Sequence, residues 1–369
     1  MNKKSKSIIF ILIDGARFDF VTKNKTYNDL FSKSEWFNRV YTTSPYTIAS
    51  MHATFTGLYP KHNKVNGYLR PENLSESAKT IPQILKERGY FTACNIPSPV
   101  VMSQRGFDYY EIHDEYLFRN AEEHLDCIKR HEASMKSSQN FFLYFHYSHI
   151  HTSLSNRVLK VYDDFSDEYF GKQEENRRMH SEDVQKSAEY LERIIGELKK
   201  KGLLENADLW IASDHGVSVG DEVGERAYGV YFFDYTLHTF LIKYGEEKKK
   251  DNDSFRCTID TLPLMFNEAG IEIPENIDGR LTRERKRKHL FKETTGNEPI
   301  FLETGGVGGP FPSPEKHNFY GILTENRKLI HNRTIDAYEE YEYSNKGDKP
   351  LLKIDADLKK QLTEYERDA

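Results

Sequence analysis

Cysteine is scarce: three residues in 369, Cys94, Cys127 and Cys257, widely separated and without a Cys-x-x-Cys pair. An odd, scattered set of thiols argues against a disulfide framework or a thiolate metal site and suits a reducing compartment. Long apolar runs are missing too. Nothing approaches the roughly 20 apolar residues that cross a bilayer, so no membrane anchor is expected. Positive charge is not in excess: 52 Lys and Arg stand against 58 Asp and Glu, a net charge of -6. That balance gives no general attraction to nucleic acid or to an anionic membrane surface. The basic cluster Arg283–Lys288 is broken by Glu284 and reads as a solvated face. Lys3, Lys4 and Lys6 ahead of the run Ile8–Ile13 imitate a signal peptide, but the run is short and ends on Asp14. The expected compartment is the cytoplasm, unless an export segment was trimmed. The glycines of Gly305–Gly309 lack the Lys-Ser/Thr of a phosphate-binding P-loop.

What is present is an alternation of apolar strands and amphipathic helices. Residues 7–13, SIIFILI, and 141–147, FFLYFHY, are nearly continuous apolar runs of the kind found in central parallel strands covered on both faces. Phe91–Ile96 and Asp208–Ala212 read as further strands. Residues 80–88 end at Gly89 and residues 181–201 at Gly202, both with helical spacing and a C-terminal glycine. Phe240–Ile242 is a short strand. Thr258–Gly270 reads as a helix with Pro263 in its first turn or kinking it. Pro299–Glu303, Phe319–Leu323 and Arg327–His331 follow as strands. The fold class expected is α/β, a doubly wound, mostly parallel central sheet with helices on both faces. Residues 1–290 would form the catalytic unit and 291–369 a small C-terminal α+β subdomain packed on the same core.

Chemistry collects where these strands end, the edge of an open α/β sheet at which ligands bind. Asp14 closes the first strand, as a metal ligand or a helix cap. Asp208–Ala212 delivers Ser213-Asp214-His215-Gly216, an oxygen and imidazole pair suited to a divalent cation; taken alone the tetrapeptide reads equally well as a capping Asp beside a surface His. After Phe141–Tyr147 come His149 and His151, which point the same way if the chain stays extended, and either could be structural. Ser44–Pro60, SPYTIASMHATFTGLYP, reads as a loop feeding a helix that starts near Thr47. A hydroxyl there is either an N-cap or, beside free N–H groups and the helix dipole, a nucleophile or anion-site ligand.

Taken in order, ILIDGAR, the Thr47 stretch with TGLYP, SHIHT, SDHG, FFDYTLHTFLI and TIDTLPLMFNEAGIEIP with Asp278-Gly279 resemble the alkaline phosphatase superfamily, in its sulfatase and nucleotide pyrophosphatase/phosphodiesterase branch. Sulfatases carry a Cys or Ser, converted to formylglycine, nine residues before the Thr of the Thr-Gly pair. Counting back from Thr56 gives Thr47, with Ala49 and Met51 at the family's Pro and Arg positions. Threonine is not a substrate for that conversion, a departure that favours members that use Thr directly. Gly15 replaces the second Asp of the family's Asp-Asp pair, so one of the sulfatases' metal ligands is missing here.

The resemblance implies a metal-dependent hydrolase of phosphate esters, a phosphodiesterase or phosphomonoesterase working through a covalent phospho-threonine. Thr47 would be the nucleophile, and Asp14, Thr47, Asp214 and His215 the ligands of one divalent cation, Mn, Zn, Mg or Ca. His151 would serve catalysis and substrate contact, with Asn66 and His149 as weaker substrate-binding candidates. A second metal site using His149, His151 and a C-terminal His such as His317 stays open. His238 could approach the site or be packing, and Arg17 is expected to be structural. The substrate expected is a small-molecule or glycan-linked phosphate ester. Alternatives are a transferase of a phospho-alcohol group onto a glycan or lipid, a sulfatase-like hydrolase without formylglycine, and an inactive binding protein.

Overall fold

The computed structural model describes residues 5–66, 73–158, 171–222, 228–229, 231–245, 250–289, 292–304, 318–343 and 348–367. Its organising strand is Ser7–Ile13 (β1), buried at every position. Side chains alternate across a strand. Ile9, Ile11 and Ile13 enter one apolar cluster with Val184, Leu191, Ile194 and Leu198. Ile8, Phe10 and Leu12 enter another with Met51, Phe55, Leu262 and Phe266. β1 is therefore the seam between two cores, and each fully buried Ile or Phe contributes about 1.5–3 kcal/mol relative to exposure.

Around it lie Glu35–Tyr41 (β2), Phe91–Ile96 (β3), Tyr109–Ile112 (β4), Phe141–Tyr147 (β5), Ala207–Ala212 (β6), His238–Lys243 (β7), Lys250–Asn252 (β8) and Arg256–Cys257 (β9). The sheet has nine strands in the order β4-β3-β5-β1-β6-β7-β2-β8, with β9 also on β2. Only β7 runs against its neighbours, β6 and β2. The remaining pairings are parallel.

The longer helices are Thr47–Thr56 (α1), Ile81–Glu87 (α2), Asn120–Ser137 (α3), His149–Val158 (α4), Gln173–Lys200 (α5), Thr261–Ala269 (α6) and Ala356–Arg367 (α7). α3 and α5 cover one face of the sheet, and α1, α2 and α6 the other. This is the doubly wound arrangement that the apolar strands imply. No described helix is long and apolar enough to cross a membrane.

Toward the C-terminus, the hairpin Glu284–His289 (β10) and Lys292–Asn297 (β11) precedes an antiparallel sheet. That sheet runs Ile300–Glu303 (β12), Phe319–Leu323 (β13), Arg327–Asn332 (β14), Ala337–Glu342 (β15) and Lys349–Pro350 (β16). α7 packs Leu358, Leu362 and Tyr365 against Leu302, Ile322 and Leu329, in one cluster with Tyr41, Ala53, Tyr59 and Phe255 of the larger unit.

Three local expectations change. Ser148–Thr152 is not extended, because α4 begins at His149. The helix read from residue 181 starts earlier, at Gln173. Thr258–Gly270 opens with a 3-10 turn at Thr258–Asp260, and α6 then carries Pro263 in its first turn, where a missing N–H costs nothing.

Candidate active site and metal centre

Parallel register begins the assembly. Leu12 pairs with Ala212 across β1 and β6, so two residues later Asp14 and Asp214 leave adjacent strands side by side. Gly15 turns the chain away with φ +73°, and its N–H donates to Asp214 Oδ1 at 3.2 Å. The His215 N–H donates to the same oxygen at 2.9 Å. Asp214 Oδ2 is buried without a hydrogen-bond partner. The tight backbone after His215 requires glycine, since a Cβ on Gly216 would sit 1.9 Å from the Tyr235 carbonyl oxygen.

α1 brings the hydroxyl. Tyr46, in an extended conformation, occupies the N-cap position and Thr47 is the first helical residue, so Thr47 does not cap its own helix. Its Oγ1 lies 3.1 Å from His215 Nε2 and 3.4 and 3.3 Å from the two Asp14 carboxylate oxygens. The Ser50 hydroxyl donates to the Asp214 carbonyl at 2.9 Å, which ties the first turn of α1 to the end of β6.

Neighbouring charges separate the two carboxylates. Burial alone would raise the Asp14 pKa, but His151, His146 and His215 outweigh it and hold the carboxyl well below its ordinary range. Asp214 goes the other way, pushed up by burial and then by the Asp14 charge. His215 Nδ1 donates to the Gly216 carbonyl at 2.8 Å, which leaves the Nε2 lone pair facing Thr47. His151 stands at the open side, its Nδ1 3.7 Å from Asp14 Oδ1 and 3.3 Å from the Tyr228 hydroxyl.

These residues fit a divalent cation. Asp14, Asp214 and His215 each offer a ligand atom within 4.8 Å of the others, all buried. His215 Nε2 is 3.1 Å from Thr47 Oγ1, 3.4 Å from Asp214 Oδ2 and 3.9 Å from Asp14 Oδ1. Ligands held at about 2.0–2.2 Å around one cation are spaced by roughly 3–3.6 Å. The unpartnered Asp214 Oδ2 is the atom that most needs such an ion. The other three-residue cluster among the described residues, Glu111, Cys127 and His131, has no such vacancy. Glu111 accepts hydrogen bonds from Arg130, His131 and Asn95, and burial pushes the Cys127 thiol up, keeping it protonated.

Not every candidate reaches this centre. His149 sits on the first turn of α4, where residues two apart diverge by about 200°. Its Nε2 lies 3.4 Å from Asp183 Oδ1, and its ring contacts Phe118 and Tyr147. Asn66 is held through its carbonyl, which accepts from the Tyr46 hydroxyl at 2.7 Å. His238 stacks on Phe18 and Tyr41 and donates to the Asn38 carbonyl, a packing role. Arg17 is buried, paired with Asp19 and Asp221. His317 lies outside the described residues. Two neighbours of the centre escaped the sequence reading. His146 Nε2 is 2.9 Å from Asp14 Oδ2, and its signal was a lone imidazole inside an apolar strand. Tyr228 approaches His215 and His151 from a segment with no local signature.

No curated protein matches the chain by sequence at a significant level. Among solved structures, a 2-O GAG sulfatase superposes with TM-score 0.74 at 16% identity, covering 99% of this chain and 91% of the other. The phosphonate monoester hydrolase of Silicibacter pomeroyi gives TM-score 0.69 at 15% identity, covering 98% and 94%. A protein solved in complex with its substrate D-glucosamine-2-N,6-O-disulfate gives 0.65 at 15% identity, covering 92% and 91%. At these identities the likeness is one of fold. The sequence model of the family described as Sulfatase matches residues 6–271, and the chain belongs to the sulfatase family.

Proposed function

We propose that this chain is a metal-dependent hydrolase of phosphate esters in which the Thr47 hydroxyl is the nucleophile. The observation that carries the proposal is the placement of Thr47 Oγ1 within 3.1–3.4 Å of His215 and Asp14 while Tyr46 takes the capping position. Asp14, Asp214, His215 and Thr47 would hold the cation. When bound, it supplies positive charge that lowers the pKa of the hydroxyl and neutralises charge on the phosphoryl oxygens.

The residues themselves account for the remaining steps. Thr47 gives up its hydroxyl proton to solvent, its Oγ attacks phosphorus, an O–P bond forms, and the bond from phosphorus to the leaving oxygen breaks. His151, at the open side, gives a proton to that oxygen as it departs. The N–H groups of the first turn of α1, which have no partners within the helix, face the phosphoryl oxygens. Water then attacks the phospho-threonine and restores the hydroxyl. A threonine ester has no second hydroxyl on Cβ to expel the group, so release requires this second attack. The substrate class proposed is a small-molecule or glycan-linked phosphate ester.

Sulfate esters are the second reading, favoured by the family match over residues 6–271. Nitrophenyl phosphate monoesters, diesters, phosphonates and sulfates, each assayed with Mn, Zn and Mg on wild-type and Thr47→Ala protein, decide between them. Metal-dependent phosphate ester cleavage that disappears in Thr47→Ala supports the proposal. Cleavage of sulfates alone supports the second reading, and no cleavage of any ester by metal-loaded protein overturns both.

A further inference from the structure

β5 carries a polar pair in an otherwise apolar strand. Tyr144 and His146 are two residues apart and so share a face, and both are fully buried. Leu12 pairs with His146 across β1 and β5, and the Asp14 N–H donates to the Tyr147 carbonyl at 3.0 Å. This extension of the ladder sets His146 beside the Asp14 carboxylate.

The partners fix the protons. His146 Nε2 lies 2.9 Å from Asp14 Oδ2. An ionised carboxylate only accepts, so Nε2 carries a hydrogen. His146 Nδ1 lies 3.0 Å from the Tyr144 hydroxyl. Burial raises the Tyr144 pKa well above its ordinary value, so the phenol stays protonated and donates to Nδ1. The result is a directed chain, Tyr144 Oη–H to His146 Nδ1, then His146 Nε2–H to Asp14 Oδ2. It takes up Oδ2, which the Thr47 hydroxyl also approaches at 3.3 Å, and leaves Oδ1 as the oxygen that His215 and His151 face, 3.4 Å from Thr47 Oγ1.

We infer that Tyr144 and His146 are positioning residues that hold Asp14 with Oδ2 occupied and Oδ1 presented to the cation. The inference rests on the metal reading above. Packing alone does not call for these residue types, because burying an imidazole and a phenol is costly unless each is hydrogen-bonded, and an aliphatic pair would fill the face without that cost. An outer partner of a metal-ligating carboxylate sets its orientation and basicity. Tyr144 acts one step further out by fixing the imidazole tautomer.

The test is titration calorimetry with Mn2+ on purified wild-type, His146→Ala, His146→Gln and Tyr144→Phe proteins, with the melting temperature of each measured in chelator. His146→Ala is expected to weaken Mn2+ binding by about 10–100-fold. Glutamine can place an amide N–H near the position of Nε2, so His146→Gln should recover most of that loss, and Tyr144→Phe should show a smaller loss than His146→Ala. A uniform fall in metal-free melting temperature with unchanged Mn2+ affinity would show a packing role only and overturn the inference. If His146→Ala does not fold, Tyr144→Phe and His146→Leu, which fills the space without a donor, decide instead: wild-type affinity in both overturns it. If wild-type protein binds none of Mn2+, Zn2+ and Mg2+, the metal reading and this inference fall together. Binding that is intact in wild type and in every variant removes the inference alone.

Discussion

The Thr47 hydroxyl oxygen lies 3.1 Å from His215 Nε2, joining the first residue of α1 to the loop that follows β6. Register makes this contact reproducible, since Asp14 and Asp214 emerge from paired strands and α1 is tied to the second of them through Ser50. A residue type common at helix caps thus faces the Asp14 carboxylate and an imidazole.

His151 should matter in proportion to how poor the leaving group is. His151→Ala is expected to slow alkyl phosphate esters by about 10^2–10^4-fold and nitrophenyl esters much less, because a nitrophenolate departs without a proton. The ratio of kcat/KM between the two substrate series, wild type against variant, checks this. An equal loss on both would assign His151 to binding.

Asp214 should cost stability in the absence of metal. Its folded pKa is raised by burial and by Asp14, so the folded state binds a proton that the unfolded state releases. Stability from this group therefore rises as pH falls through the raised folded pKa toward the ordinary value of 3.8. In chelator, Asp214→Asn should lack this component, seen as the difference between the two proteins in melting temperature against pH. Saturating cation should stabilise wild type by about 2.7 kcal/mol at 100 times Kd, and Asp214→Asn far less.

His149 is expected to serve the fold. It lies against Asp183, which also accepts from Arg157. Burial would raise the Asp183 carboxyl, but these partners hold it down at about 2. That stabilisation is complete above 3.8 and is lost as pH falls from there to about 2. His149→Ala should lower stability by about 1 kcal/mol with kcat/KM within about twofold, measured by urea unfolding and steady-state kinetics.

The thiols should be inert in the native protein. Cys94, Cys127 and Cys257 are buried and free. Burial pushes all three thiols up, Cys257 to about 12, and the thiolate is the reactive form. A disulfide reagent should titrate them only after denaturation. Rapid labelling of folded protein would contradict the burial.

Much of the fold was legible because its central strands are covered on both faces. β1, β3 and β5 stand out as apolar runs whose bounds agree with the structure. β2 escaped because Glu35, Asn38 and Arg39 interrupt it, and half-buried pairing supports such a sequence only once β7 lies beside it. α3 carries several charged residues between its buried positions, so its apolar stripe is thin. At the centre, Asp14, Thr47, Asp214, His215 and His151 were singled out from strand ends and motif order, and the structure brings them together. Grouping His149 with them requires an extended chain, which the start of α4 at His149 removes. His146 was hidden because an imidazole in an apolar strand shows its purpose only when the neighbouring strand delivers Asp14.

The central claim is that Thr47 carries the transferred group. Reacting metal-loaded protein with p-nitrophenyl phosphate, quenching in acid and mapping peptides by mass spectrometry tests it most directly. The account predicts one phosphoryl group on Thr47 in the wild type, no adduct in Thr47→Ala, and turnover in that variant lower by about 10^3-fold or more. Turnover by Thr47→Ala near the wild-type rate, or a phosphoryl group on another residue, would contradict it.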